Sequence, residues 1–152
     1  MVGEGVDAEG LTTIAEKLTA AGAVPRFLGS RLGRIEGGGQ TIEIDGTLEA
    51  LPSVLFDGVV VPDGDAADAL SEDGRSLEFL KDQYRHCKPI LVMGQGNSLL
   101  EEAGIPMSLP EGGSDPGIIE SSGKNDASGV KGFIEALAAH RHFERETDPP
   151  RV

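Results

Sequence analysis

Residues 88–100 constrain the fold of this chain more than any other segment. Four consecutive apolar residues, 90–93, predict a buried strand, and residues 95–103 predict a short helix that ends at Gly104. The turn between them is Gly94-Gln95-Gly96. Many α/β enzymes place a nucleophilic Ser or Cys on such a strand-to-helix turn. Because glycine has no side chain that could attack a substrate, the segment predicts the architecture of an active site without its reacting atom.

Helical and strand patterns alternate through most of the chain. A stripe of Leu11, Ile14 and Leu18 predicts a first helix that Asp7 can cap. Further helices are predicted to be capped by Ser76 and Ser128, and short buried strands fall at residues 23–28, 57–62 and 117–120. Aromatic residues are only 4% and Trp is absent, so aliphatic residues must fill the interior. These features predict an α/β fold with a mostly parallel sheet and helices on both faces.

Two segments depart from the alternation. Residues 33–47 predict an extra β-hairpin, because Ile35 and Ile42 flank a run of three glycines. Before the first helix, no segment is long or apolar enough to be a strand, although doubly wound folds place their first strand centrally. The first strand is therefore expected to be truncated, or its slot to be filled by another segment. We expect one domain over residues 1–146 and a flexible tail over 147–152.

The charge balance excludes whole classes of partner. Asp and Glu number 26 against 13 Lys and Arg, only five of them Lys, for a net charge of -13. Such a surface repels nucleic acid and anionic membranes. It fits either an ordinary soluble acidic protein or one adapted to high salt, where screening weakens self-repulsion. No apolar run approaches the roughly 20 residues that span a bilayer, and no signal peptide is visible, so we expect a cytoplasmic protein.

A candidate ligand cleft follows from the predicted topology. Ligands of open α/β sheets bind at the carboxyl ends of the strands, where the turns after residues 57–62 and 90–93 should meet. The cleft would be formed by Asp63, Gly64, Gly94, Gln95, Gly96 and Asn97. The alternative is that these glycines only permit tight turns. The pattern Gly-x-Gly is too short to indicate a dinucleotide or P-loop site.

The remaining reactive side chains do not predict a site. Cys87 is the only cysteine, which excludes an internal disulfide, and it precedes its strand, so it should lie at the end of the sheet away from the cleft. His140 and His142 are two residues apart near the end of a helix, where they diverge. With Arg141 and Arg145 they predict a basic patch at the helix carboxyl end. We expect no metal site.

Four ordered motifs resemble the C-terminal domain of large-subunit haem catalases. They are VPRFLGSRLG at residues 24–33, DGVVVPDG at 57–64, YRHCKPI at 84–90 and AAHR at 138–141. The resemblance runs from about Val6 to about Arg145. It implies a flavodoxin-like fold similar to the ThiJ/PfpI and class I glutamine amidotransferase proteins.

The resemblance also implies what the chain lacks. In ThiJ/PfpI proteins a Cys, a His or small residue, and a Gly stand where this chain has Gly94, Gln95 and Gly96, and their acidic partner corresponds to Val6. The degenerate elbow implies a non-catalytic accessory domain that acts in assembly or stability. No cofactor is expected in this chain, since haem and peroxide chemistry belong to a separate core domain of such catalases. The implied partners are a second copy or a catalase core, contacted through residues 33–47 and the last helix.

Two other functions stay open at this point. One is a ThiJ/PfpI-like hydrolase, deglycase or chaperone that acts on small carbonyls or peptides through an atypical site. The other is an acidic ligand-binding module that holds an anion at the Gly94 turn.

Overall fold

A computed structural model describes residues 1–123 and 126–147. The predicted tail, apart from Thr147, lies outside the described residues. Within these residues the helices are α1 Ala8–Ala20, α2 Asp65–Ser71, α3 Gly74–Arg85, α4 Asn97–Glu102 and α5 Ala127–Ala139, with 3-10 turns at Ser53–Leu55 and Phe143–Thr147. The strands in the described part of the chain are β1 Leu28–Gly29, β2 Arg34–Gly37, β3 Gln40–Glu43, β4 Gly46–Thr47, β5 Val59–Val61, β6 Ile90–Met93 and β7 Ile118–Ser121.

The centre of the molecule is a parallel sheet in the order β5-β6-β7. All four residues of β6 are buried, and their side chains alternate between two apolar clusters. Ile90 and Val92 face the cluster that α3 and α4 complete, whereas Leu91 and Met93 face the cluster of α1 and α5. Each such buried aliphatic side chain contributes about 1.5–3 kcal/mol. The molecule therefore has the three layers of a flavodoxin-like α/β fold.

The predicted hairpin is present beside this sheet. Strands β2 and β3 pair antiparallel with Ile35 opposite Ile42, and the buried Ile42 packs with α1. Strands β1 and β4 pair parallel to each other as a separate two-stranded ladder.

The slot of the first strand is filled only in part. The Met1 amino group donates to Val60 O on β5 at 2.8 Å, and Val2 N donates to Leu28 O on β1 at 2.8 Å. Two residues thus join the β1–β4 ladder to the parallel sheet. Burial lowers the pKa of the Met1 amine to about 5.

Three sequence predictions about local structure are wrong. Helix α3 is capped by Asp73, which accepts from Arg75 N at 3.0 Å, and not by the buried Ser76. Helix α5 is capped by Asp126, which accepts from Gly129 N at 3.0 Å, and not by Ser128. The predicted strand over residues 23–28 is reduced to Leu28–Gly29, which pairs with β4.

The predicted basic patch is also wrong for two of its four members. His142 and Arg145 are buried. After α5 the chain folds back against the residues that precede β6. His142 N donates to Cys87 O at 2.8 Å, and Arg145 Nη1 donates to Lys88 O at 2.9 Å. These bonds anchor the carboxyl-terminal segment at the amino end of β6.

Candidate functional site

The turn of residues 94–96, here called the elbow, connects β6 to α4 at the carboxyl end of the sheet. Gly94 has φ +49°, a conformation that side chains disfavour. Its N–H donates to Ser121 O at the end of β7 at 2.7 Å, and Gly96 N donates to Met93 O at 2.8 Å. The backbone of the elbow is therefore fixed between neighbouring strand ends.

The carboxylate of Asp63 lies where a side chain on Gly94 would stand. A Cβ placed on Gly94 would overlap the carboxylate carbon and both oxygens of Asp63. Asp63 Oδ1 also accepts a hydrogen bond from Gln95 N at 2.6 Å. The elbow N–H of Gln95 therefore already has an anionic partner from its own chain.

Position 96 requires glycine because of its contact with the end of β5. A Cβ on Gly96 would approach Pro62 O and Val61 at the end of β5. The first turn of α4 packs closely against this strand end, so the two glycines of the elbow serve separate steric needs.

The predicted turns after residues 57–62 and 90–93 meet at this edge of the sheet through Gln95 and Asp63, and the amino-terminal loop lies beside them. A Cβ on Gly5 would overlap Asp65 Cβ at the start of α2, which places the amino-terminal loop against the loop after β5. Val6 is buried, and the hairpin residue Gly37 lies directly over Val6 O. The position of the implied acidic partner is thus an aliphatic side chain under the hairpin.

Polar side chains next to the elbow are amides, carboxylates and the hydroxyl of Ser98, which donates to Gln95 O at 3.2 Å. Asn97 Nδ2 donates to Glu120 Oε1 at 3.0 Å, and Gly64, with φ +54°, opens α2 beside Asp63. Asp126 accepts from the Ser128 hydroxyl and from the Gly129 and Ser122 N–H groups, which hold its pKa well below the usual range. These groups can accept hydrogen bonds but include no thiol or imidazole.

Cys87 lies at the other end of the sheet, as predicted. It is buried with φ +56° in the turn between α3 and β6, and β6 separates it from Gly94. Near it lie Tyr84, Asp115 and Arg145, a buried polar group that the sequence does not predict. No local signal marks that group, because Asp115 and Arg145 are 30 residues apart in segments that look like solvated loops.

Two other kinds of site are absent from the described ranges. Over residues 1–123 and 126–147, no three His, Cys, Asp or Glu side chains are grouped closely enough to hold a metal ion. In the same residues, no helix is long and apolar enough to cross a bilayer.

The fold of this chain is the α/β fold seen in ThiJ/PfpI proteins. A ThiJ/PfpI domain protein from Brachyspira murdochii superposes with a TM-score of 0.75 at 18% identity, over 90% of this chain and 92% of that one. This similarity concerns the fold alone.

Sequence comparison identifies the family within that class. Residues 2–147 match the family described as the C-terminal domain found in long catalases. The chain is 32% identical to catalase HPII of Pseudomonas putida over 96% of its own length and 19% of that protein. It is also 32% identical to catalase HPII of Mycobacterium avium, over 97% of this chain and 22% of that protein. The chain belongs to this family of catalase C-terminal domains, and spans about a fifth of the length of these relatives.

Proposed function

We propose that this chain is a non-catalytic accessory domain that supports the assembly or stability of a catalase. The observation that carries the proposal is the Asp63 carboxylate at the elbow. Covalent catalysis needs a nucleophile and a base within hydrogen-bonding reach. At the elbow, Gly94 supplies no reactive atom, Asp63 fills the space beside it, and Val6 stands where an acidic partner would be.

The relatives support the same role. The matched segment in the two HPII catalases is about a fifth of each protein. We propose that the catalase activity stated in the names of these relatives resides in their remaining parts. The chain by itself is proposed to bind no haem and to decompose no peroxide.

The contact surfaces are proposed to be the hairpin and the end of α5. Leu32, before β2, and Phe143, after α5, are exposed apolar side chains in these two regions. Large exposed apolar side chains next to a short strand edge favour protein contacts. The partner is a second copy of this chain or a catalase core.

Turnover measurements test the non-catalytic role. The purified chain is incubated with hydrogen peroxide, a dicarbonyl and a model ester, and separately with haem. We expect no turnover above a heat-denatured sample and no Soret band. Gln95→Ala is compared with Ser98→Ala, an exposed position in the next turn. If the chain shows turnover, and Gln95→Ala abolishes it while Ser98→Ala does not, the chain is instead a ThiJ/PfpI-like enzyme with an atypical site.

Sedimentation measurements test the assembly role. The chain is studied alone and mixed with a catalase core domain. We expect a complex or an oligomer that Phe143→Ser weakens, while Val54→Ser, at an equally exposed apolar side chain away from both surfaces, leaves it unchanged. A monomer that binds no core would contradict the assembly role.

A further inference from the structure

Three polar side chains are buried together where the end of α3 meets the start of β6. Lys88 and Ser53 are each 2% exposed and Gln83 is 0% exposed. Lys88 Nζ donates to Ser53 O at 2.9 Å, and Gln83 Nε2 donates to the same oxygen at 2.8 Å. These three residues, here called the lysine cluster, hold the 3-10 turn at Ser53–Leu55 against α3.

The lysine cluster has hydrogen-bonding capacity that its neighbours do not use. Ser53 Oγ and Gln83 Oε1 are buried and have no partner in the described part of the chain. Within residues 1–123 and 126–147, Lys88 forms no ion pair, and its ammonium donates to Ser53 O. A buried charge without a countercharge is costly. The cluster therefore disfavours the protonated form of Lys88 and leaves a hydroxyl next to it unpaired.

The charges around Lys88 also favour its neutral amine. Burial lowers the pKa of Lys88 and the positive charge of Arg141 lowers it further, whereas the carboxylates of Asp57 and Asp82 act in the opposite direction. An exposed lysine, with a pKa of about 10.4, is neutral in only about 0.4% of molecules at about pH 8. A lower pKa increases that fraction. Since only the neutral amine has a free lone pair, Lys88 is a better nucleophile than an exposed lysine.

The geometry of the lysine cluster restricts which electrophile can react with this amine. A side chain that is 2% exposed is reached only by a very small molecule. The product must also keep an N–H on Nζ, because Ser53 O accepts a hydrogen bond from it. An imine formed with an aldehyde or ketone has no such N–H. Carbon dioxide is a small linear molecule, and its adduct with an amine keeps one N–H.

We propose that Lys88 is a carbon dioxide site, at which the buried amine forms a carbamate. The nitrogen lone pair attacks the carbon of carbon dioxide, so that a C–N bond forms and one C=O π pair moves to oxygen. The nitrogen then releases one proton to water, and no oxidant or reductant is needed. The remaining N–H donates to Ser53 O, and the unpaired Ser53 hydroxyl donates to a carbamate oxygen. Arg141, which repels the ammonium, attracts the carbamate anion.

Labelled carbon dioxide tests the proposal on the intact chain. The chain is prepared with an acetylated amino terminus, which removes the α-amine as a second carbamate site, and is equilibrated with carbon-13 carbon dioxide and bicarbonate. We expect a carbamate carbon resonance distinct from those of bicarbonate and carbon dioxide. Alkylation with a trialkyloxonium salt should convert the carbamate into a stable ester. Peptide mass spectrometry should locate that ester at Lys88 and not at the exposed Lys131.

Matched variants connect the carbamate to the lysine cluster. Ser53→Ala should lower the equilibrium constant for carbamate formation about tenfold, because the anion loses a hydrogen bond. Ser98→Ala, at an exposed serine, should leave it unchanged. Arg141→Gln should lower the constant and Asp82→Asn should raise it, since these changes remove charges of opposite sign. A merely structural role would not produce these opposite effects.

The lysine itself is tested by Lys88→Arg. Arginine keeps a cation and N–H donors at this position, but its guanidinium is not deprotonated and forms no carbamate. The resonance should therefore disappear. Absence of a carbamate resonance from the wild-type chain, equal labelling of Lys88 and Lys131, or a resonance that persists in Lys88→Arg would overturn the proposal. The first two results are read on wild-type protein and do not depend on the folding of any variant.

Discussion

Arg145 donates a hydrogen bond from Nε to Asp115 Oδ2 at 2.5 Å, with only 2% and 0% of the two side chains exposed. The Arg145 guanidinium also lies 4.7 Å from the ring centre of Tyr84, and Asp115 Oδ1 accepts from Gly117 N at 2.8 Å. The pair therefore joins the segment after α5 to the loop before β7.

Removal of one partner of this pair should destabilise the fold strongly. Arg145→Met leaves the Asp115 carboxylate buried without its cation, which costs about 3–5 kcal/mol. Adding Asp115→Asn should restore part of the loss, because the buried charge is then gone. The free energy of unfolding in urea measures both effects. Lys131→Ala, which removes the exposed Lys131–Glu135 pair, is the control and should change stability by less than about 1 kcal/mol.

The Met1 amine should make stability depend on pH. Its pKa falls from 8.0 to about 5 through burial, so between these values the unfolded chain binds a proton that the folded chain does not. The contribution of the neutral, buried amine to the free energy of unfolding is fully present above pH 8. It is lost as the pH falls towards 5, by about 4 kcal/mol in all. Urea unfolding across this range, on protein whose mass shows that Met1 is retained, measures it.

Acetylation of the amino terminus is the control for this pH dependence. An acetylated amine cannot be protonated, whereas every titratable side chain is the same in both proteins. The difference between the two pH profiles isolates the Met1 amine. Identical profiles would show that this amine is not buried.

Added salt should stabilise the chain if its charge reflects adaptation to high salt. With a net charge of -13, surface repulsion is screened as the Debye length falls from about 10 Å at 0.1 M to about 3 Å at 1 M. We expect a gain of about 1 kcal/mol, or about 2–4 °C in Tm for a chain of this size. The exposed pair Glu101 and Glu102 provides a control, since changing both to Lys should reduce the salt effect. A Tm that falls with added KCl would contradict the prediction.

Periodicity predicts the elements that carry strong apolar signals. Four consecutive apolar residues predict β6, and Ile35 and Ile42 on either side of three glycines predict the hairpin; both elements are present. Helix α2 was not predicted, because Leu70 is its only large apolar residue and short alanine-rich helices have no clear stripe. The residues of the candidate cleft were predicted from topology alone.

Side-chain placement within the site could not be predicted in the same way. The sequence places Asp63 after one strand and Gly94 after the next, and parallel pairing brings these strand ends together. Whether Asp63 points to solvent or to the elbow depends on local turn geometry and not on periodicity. The burial of Arg145 depends equally on a contact 30 residues away.

A double-mutant cycle at positions 63 and 94 tests the central claim most directly, that a carboxylate of the chain itself closes the elbow. Gly94→Ala should lose about 1–2 kcal/mol from its positive φ, and further stability from overlap with Asp63. In the Asp63→Ala background the overlap is gone, so the same change should cost at least about 1 kcal/mol less.

Gly104 is the matched control for this cycle, since it has φ +68° and open space around its Cβ position. Gly104→Ala should cost the same in both backgrounds. Coupling between positions 63 and 94, with none between 63 and 104, is the predicted result in urea unfolding. Equal costs of Gly94→Ala with and without Asp63 would contradict the account.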